Sequence, residues 1–309
     1  MLDITGKRFR FFLISGVIIL IGIISLASFG LEAGVELSKD GGSQLTLGFE
    51  GEVDLNELRR ELGSLGYANA IVQTTGEGDY LIRTVKLTTG EKTQLKEGLA
   101  ARVGPIEEEL GFVDVDPVIA RQTARIATIA TVVAAVGIML YITWAFRRMP
   151  KPFHYGTCAI VALLHDALVA LGVFSIIGGV LGWEVNLMFI TGILAVVGYS
   201  VNNTVVVFDR IRENLLENTR ADFEVVVNNS LLESLPRSFN TSLTTIIVVL
   251  ALLLFVGSTI QNFTVVLLIG VIAGTFSSLF IAPSLLVVWE KGEWQRFIKW
   301  LPLKSASNR

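Results

Sequence analysis

The residue best placed to do chemistry in this chain is a carboxylate in the middle of an apolar run. Asp166 follows His165 between Leu163-Leu164 and Ala167-Leu168. A charge in hydrocarbon is costly and is kept where it faces a bundle interior or a water-filled path. Asp166 is therefore either a site that takes up and releases a proton or another cation, or a protonated acid bonded to a neighbouring helix. A second polar group reads Gly198-Tyr199-Ser200-Val201-Asn202-Asn203-Thr204, with Asp209-Arg210 following. Adjacent amides on a helix point about 100° apart, so Asn202 and Asn203 each need a partner of their own. Gly198 offers a packing alternative, close helix approach. A third group, Arg237-Ser238-Phe239-Asn240-Thr241-Ser242, is a polar interior stripe if Arg237 faces inward and a headgroup contact if it snorkels. No P-loop, G-x-S-x-G, H-E-x-x-H or Cys/His metal spacing accompanies them. The chemistry on offer is ion binding, and neither an enzymatic activity nor a cofactor is expected.

The elements that must position these residues are membrane helices. The 309 residues are 52% hydrophobic and 17% charged, with a mean hydropathy of +0.62. Soluble domains carry about 25% charge. A spanning helix needs about 20 mainly apolar residues, and six stretches qualify: residues 11–29, 126–146, 157–180, 185–208, 238–256 and 263–289. The first is too long for a signal-peptide core and lacks a cleavage pattern, so it reads as a retained anchor. Counting about 1.5 Å per residue from Thr157 puts Asp166 roughly 14 Å into the third span, near the midplane. Gly270 and Gly274 form a G-x-x-x-G pair in the sixth. Phe223, Val226, Val227, Leu231 and Leu235 lie at helical spacing before the fifth. They suit an amphipathic helix on the membrane surface or a connector under the bundle.

Basic residues cluster before the first span, between the second and third, between the fourth and fifth, and after the sixth; the loops 178–184 and 257–262 have none. Positive-inside logic puts both termini in the cytoplasm. The long segment between the first two spans then lies outside the plasma membrane. It holds 8 Lys/Arg against 17 Asp/Glu over residues 30–120, a balance that repels nucleic acid. Its strand and helix patterns follow the order β-α-β-β-α-β, that of a ferredoxin-like α+β unit. The expected organisation is residues 1–29 as terminus and first helix, 30–120 as external domain, 121–290 as five-helix bundle and 291–309 as cytoplasmic tail.

The run from Gly198 through Asp209-Arg210-Ile211-Arg212-Glu213-Asn214, with Leu164-His165-Asp166, Arg237–Ser242 followed by Leu243-Thr244-Thr245, and Gly270–Ser278 into Pro283, closely resembles the SecD/SecF family, on its SecF side. That family is part of the resistance–nodulation–division superfamily. The resemblance implies a subunit that pairs with SecD and works with the SecY-SecE-SecG translocon. It implies use of the proton gradient, or in some relatives sodium, to help exported preproteins across the lipid bilayer. It also implies an ion path containing Asn203 and Arg237, near Asp166, Asn202, Asp209 and Asn240. One position departs from the family pattern G-Y-S-x-N-D-T: Asn203 stands where that pattern has aspartate. An amide cannot take up and release a proton as a carboxyl can. Relay duty then falls to Asp166, to a partner's carboxylate, or to nothing. Without an acid at position 203, Arg237 is expected to lie near Asn203 and to seek Asp166, Asp209 or a partner carboxylate. The rival reading is a small-molecule or lipid exporter of the same superfamily, for which an outer domain of about 90 residues is small. The plainest alternative is a structural subunit of the translocon.

Overall fold

Leucines spaced for one helical face and β-branched runs build the segment between the first two long helices. The computed structural model describes residues 3–75, 78–217, 220–255 and 260–294. After α1 (Arg8–Ser28) come β1 (Gly42–Phe49), α2 (Leu55–Ser64), β2 (Ile71–Thr74), β3 (Tyr80–Thr84), α3 (Thr89–Arg102) and β4 (Ile106–Val115). The strands form one antiparallel sheet in the order β2-β3-β1-β4. Leu58 and Leu62 of α2 and Leu95 and Leu99 of α3 pack with Leu45, Leu47, Val72 and Ile82 of the sheet. Both helices start on side-chain caps that satisfy free backbone N–H groups. Asp54 accepts from Asn56 N at 2.8 Å. Thr88 and Glu91 close a reciprocal capping box, whereas Glu57, the corresponding residue of α2, pairs with Arg60. Residues 76–77 of the β2–β3 turn lie outside the described residues, as do half of the loop 257–262 and most of the tail, with Arg296, Lys299 and Lys304.

Six helices among the described residues are long and apolar enough to cross a membrane: Thr5–Ser28, Pro117–Ala145, Pro152–Leu181, Leu187–Glu217, Phe223–Phe255 and Gln261–Lys291. We label the second to fifth α4 to α7. The sixth is α8 (Gln261–Phe276), a π-helical turn (Ser277–Ile281) and α9 (Ala282–Lys291). Pro283 lacks an N–H and its ring crowds the preceding turn, and the wide turn just before it accommodates both. The residues expected as either a surface amphipathic helix or a connector under the bundle are the start of α7, which runs unbroken through Pro236. Val226, Val227 and Leu231 are buried there, so this stretch packs under the bundle and is not a surface helix. Their apolar stripe meets α5 and α6 side chains such as Tyr155, Val207 and Ile211.

α5, α6 and the sixth helix form the centre of the bundle, and α4 is the most exposed. Glycines set the closest approaches. A Cβ on Gly172 would lie 2.5 Å from Gly22 Cα, one on Gly270 would collide with Val196, and one on Gly274 would reach 3.0 Å from Ser200. The G-x-x-x-G pair therefore seats α8 on α6. Gly198, by contrast, faces open space, so its packing role is not seen in the single chain. Gly172→Leu should destabilise the bundle by about 1–3 kcal/mol through backbone displacement. Gly16→Leu, with nothing near its Cβ, should not. Thermal unfolding of the two variants in one detergent separates them.

Candidate ion site in the bundle

Asp166 sits midway along α5 and is 1% exposed. Its Oδ2 accepts hydrogen bonds from Ser200 Oγ of α6 at 2.5 Å and from Ser277 Oγ of the π turn at 2.8 Å. Its Oδ1 lies 3.0 Å from His165 Nδ1, and His165 Nε2 lies 3.0 Å from Ser15 Oγ of α1. Four segments of the bundle thus converge on one carboxyl. The π turn has a direct part in this, because it begins at Ser277; such turns are frequent at functional sites.

The arrangement suits proton transfer because it is satisfied in two states. With Asp166 ionised, neutral His165 donates from Nδ1 to Oδ1 and accepts from Ser15 at Nε2. With Asp166 protonated on Oδ1, the acid donates to Nδ1 and His165 donates from Nε2 to Ser15. Ser200 and Ser277 donate to Oδ2 in both. A proton arriving at Nε2 can therefore leave from Nδ1 to the carboxyl with no polar group stranded, which matters because an unmade buried hydrogen bond costs about 1–3 kcal/mol. Residues at intervals of three and four, Ser200, Asn203, Thr204 and Val207, trace the buried face of α6. The sequence shows Ser200 only as part of a polar run, and this spacing is the signal that could have singled it out. Ser15 is a single hydroxyl in an apolar run, and Ser277, between Thr275 and Ser278 in the Gly270–Ser278 stretch, has nothing in its spacing that points to Asp166.

A second network adjoins the first through α6 and α8. Ser242 Oγ of α7 lies 2.9 Å from Tyr199 OH, 2.7 Å from Thr275 Oγ1 and 3.4 Å from Asn203 Nδ2, and donates to Ser238 O at 2.8 Å. Asn203 is buried and acts here as a hydrogen-bonding group at a helix crossing. Asn202, one residue away, is exposed.

The other expected members of the path lie elsewhere. Arg237 and Asn240 are exposed. Ser234, Ser238 and Ser242, four residues apart, are buried on the inner face of α7, and this register turns Arg237 and Asn240 outward. Arg237 does not meet Asn203, Asp166 or Asp209, and its guanidinium has no hydrogen-bond or ion-pair partner among the described residues. Asp209 instead pairs with Arg212 at 2.9 Å. Neither carboxylate of this chain named for Arg237, Asp166 or Asp209, is bonded to it.

One charged cluster escaped sequence reasoning altogether. Arg8, at the start of α1, is buried between Glu224 of α7 and Glu293, at 2.5 Å from each, and Lys291 also contacts Glu224. The partners are 216 and 285 residues from Arg8, so no local pattern announces them. The sequence marks Arg8 only as part of a basic flank; the structure makes it a clamp joining the first and fifth membrane helices and the end of the sixth.

Six membrane helices, a sheet domain inserted after the first, and one buried carboxyl at the helix crossing define a polytopic membrane protein built around an internal polar seam. Residues 97–292 match the family described as protein export membrane protein SecD/SecF, C-terminal, and the chain belongs to this family. It is 41% identical to the protein translocase subunit SecF of Thermobaculum terrenum, and 40% identical to that of Anaerolinea thermophila, each over 97% of both chains. Among solved structures it is similar to SecDF from Thermus thermophilus, described as a translocon-associated membrane protein. The TM-score is 0.83 at 28% identity over 94% of this chain and 39% of that one. SecDF in a super-membrane-facing form gives 0.62 at 25% identity, over 96% and 40%.

Proposed function

We propose that this chain is the SecF-type half of a SecD–SecF complex in the plasma membrane, where it assists Sec-dependent translocation of preproteins using an ion gradient. The observation that supports the reading most is the Asp166 site: a carboxyl in the middle of a membrane bundle, with hydrogen bonds that fit either protonation state, in a chain of this family. With Asn203 unable to titrate, Asp166 holds and releases the proton, His165 passes it, and Ser200 and Ser277 steady the carboxyl. Positive-inside logic favours cytoplasmic termini and an outer sheet domain. The strand order and the two helices on one face favour the ferredoxin-like description of that domain.

The partner half supplies what is missing on the surface of α6 and α7. Asn202, Arg237 and Asn240 are polar groups exposed on helices that otherwise suit lipid, and such groups are retained where another protein covers them. A carboxylate of the partner opposite Arg237 completes the pair that Asn203 cannot. Purification of the tagged full chain from its native membrane, followed by mass spectrometry, should recover a SecD-type protein and translocon subunits. Cysteines at Asn202 and Asn240 should crosslink to that partner. Recovery of a homo-oligomer alone would favour the exporter reading, and crosslinking to lipid probes alone would remove the proposed interface.

A further inference from the structure

Where the sheet domain meets the membrane bundle, one buried carboxylate takes contacts from both sides. Glu184 lies in the short loop between α5 and α6 and is 6% exposed. Arg83 of β3 makes an ion pair with it, and Gln73 of β2 donates to its Oε1 at 3.3 Å and to the neighbouring Gly182 carbonyl. The same arginine donates to Ala33 O at 2.6 Å, on the strap between α1 and β1. That strap is zipped to the loop: Gly34 N donates to Val185 O at 2.8 Å and Val185 N to Glu32 O at 2.7 Å. Asn262, at the start of α8, donates to the Glu184 carbonyl at 2.9 Å, and Glu36 accepts from Leu187 N at 2.9 Å. The charged groups acting on the Glu184 carboxyl are thus Arg83 from the sheet and the acidic Glu32 from the strap.

We propose that Glu184 is a proton-sensitive latch that fastens the sheet domain to the membrane bundle through Arg83 and Gln73. This goes beyond the ion site at Asp166 and stands on contacts within the chain alone. The direction of the pH response follows from burial. Desolvation, opposed by Arg83 and reinforced by the charge of Glu32, pushes the Glu184 carboxyl up to about 7. In an opened, solvated state it returns to the ordinary range near 4.3. The latched state therefore binds the proton more tightly. Latching is strongest below the open-state value and weakens as pH rises through about 7. With Glu184 ionised, Arg83 still holds it, so the latch loosens without vanishing.

The test uses the full chain in lipid nanodiscs, with spin labels at exposed Gln94 of the sheet domain and Val180 of α5 in a Cys158→Ala background. Electron–electron distance distributions should show a latched population that gives way to a longer-distance one as pH rises. The latched-to-open ratio should fall on the order of 50-fold from about pH 5 to about pH 8. Glu184→Gln, neutral and still able to bond Arg83, should stay latched at every pH. Glu32→Gln, which removes a like charge, should move the midpoint down. A flat wild-type profile overturns the proposal. So does a Glu184→Gln chain that keeps the pH dependence or stays open, or a Glu32→Gln midpoint that does not move.

Discussion

Asp166→Asn should abolish gradient stimulation of preprotein release from membrane vesicles while leaving the bundle assembled. The amide oxygen can still accept from Ser200 and Ser277, and its NH2 can donate to His165 Nδ1, so the contacts at 2.5, 2.8 and 3.0 Å all have a replacement. What disappears is the ability to change charge. One charge crossing 100 mV is worth about 2.3 kcal/mol, so a single coupled proton sets a ceiling of about 50-fold on the stimulation that Asp166→Asn can remove. Asp166→Leu makes the informative contrast. It leaves Ser200 Oγ and His165 Nδ1 without their partner, at about 1–3 kcal/mol each, leaves Ser277 only its 3.3 Å bond to Gly274 O, and should lower thermal stability as well as activity. Asn203→Asp adds a second acid beside Ser242. Stimulation that survives Asp166→Asn would move the coupling to the partner. Stimulation that appears only with Asn203→Asp would make the native chain an uncoupled, structural member of the family.

Removing residues 34–116, with a short flexible join that leaves all six helices inserted, should reduce export support to the level of cells lacking the chain. The domain has its own leucine core, so its loss need not unravel the bundle. The loop it grips would lose the Arg83 and Gln73 contacts and the zipper at Gly34. β4 is an edge strand of ten residues with Leu110 and Val113 exposed, and such an edge can pair with an extended chain or with another sheet. Quantitative pulse-chase of an exported reporter provides the readout. Undiminished export after the deletion would take the domain out of the mechanism.

Much of this architecture was legible in the residues, for identifiable reasons. Membrane spans announce themselves because every backbone group in lipid must be satisfied within the helix, and each of the six expected spans lies within an observed helix, overrunning its described ends by no more than two residues. The β-α-β-β-α-β order was readable from Leu58, Leu62, Leu95 and Leu99 at helical spacing and from short β-branched runs. Asp166 stood out because a carboxylate in hydrocarbon is rare. What was not legible depends on rotation about a helix axis and on distant pairing. Arg237 and Ser242 belong to one polar run, yet the four-residue repeat of serines puts one outside and the other inside. The stretch 223–235 and the span 238–256 read as separate elements, yet α7 runs through Pro236 and joins them. Arg8 with its two glutamates, and Glu184 with Arg83, join positions far apart in the chain, and only the folded bundle brings them together.

The central claim, that Asp166 changes protonation when a gradient is applied, is tested most directly by infrared difference spectroscopy of the complex in sealed vesicles. The account predicts a carboxylic-acid carbonyl band that rises or falls on energisation, shifts in deuterated buffer, and is missing in the Asp166→Asn complex. A band that is unaltered by the gradient, or that persists unchanged in Asp166→Asn, would contradict it.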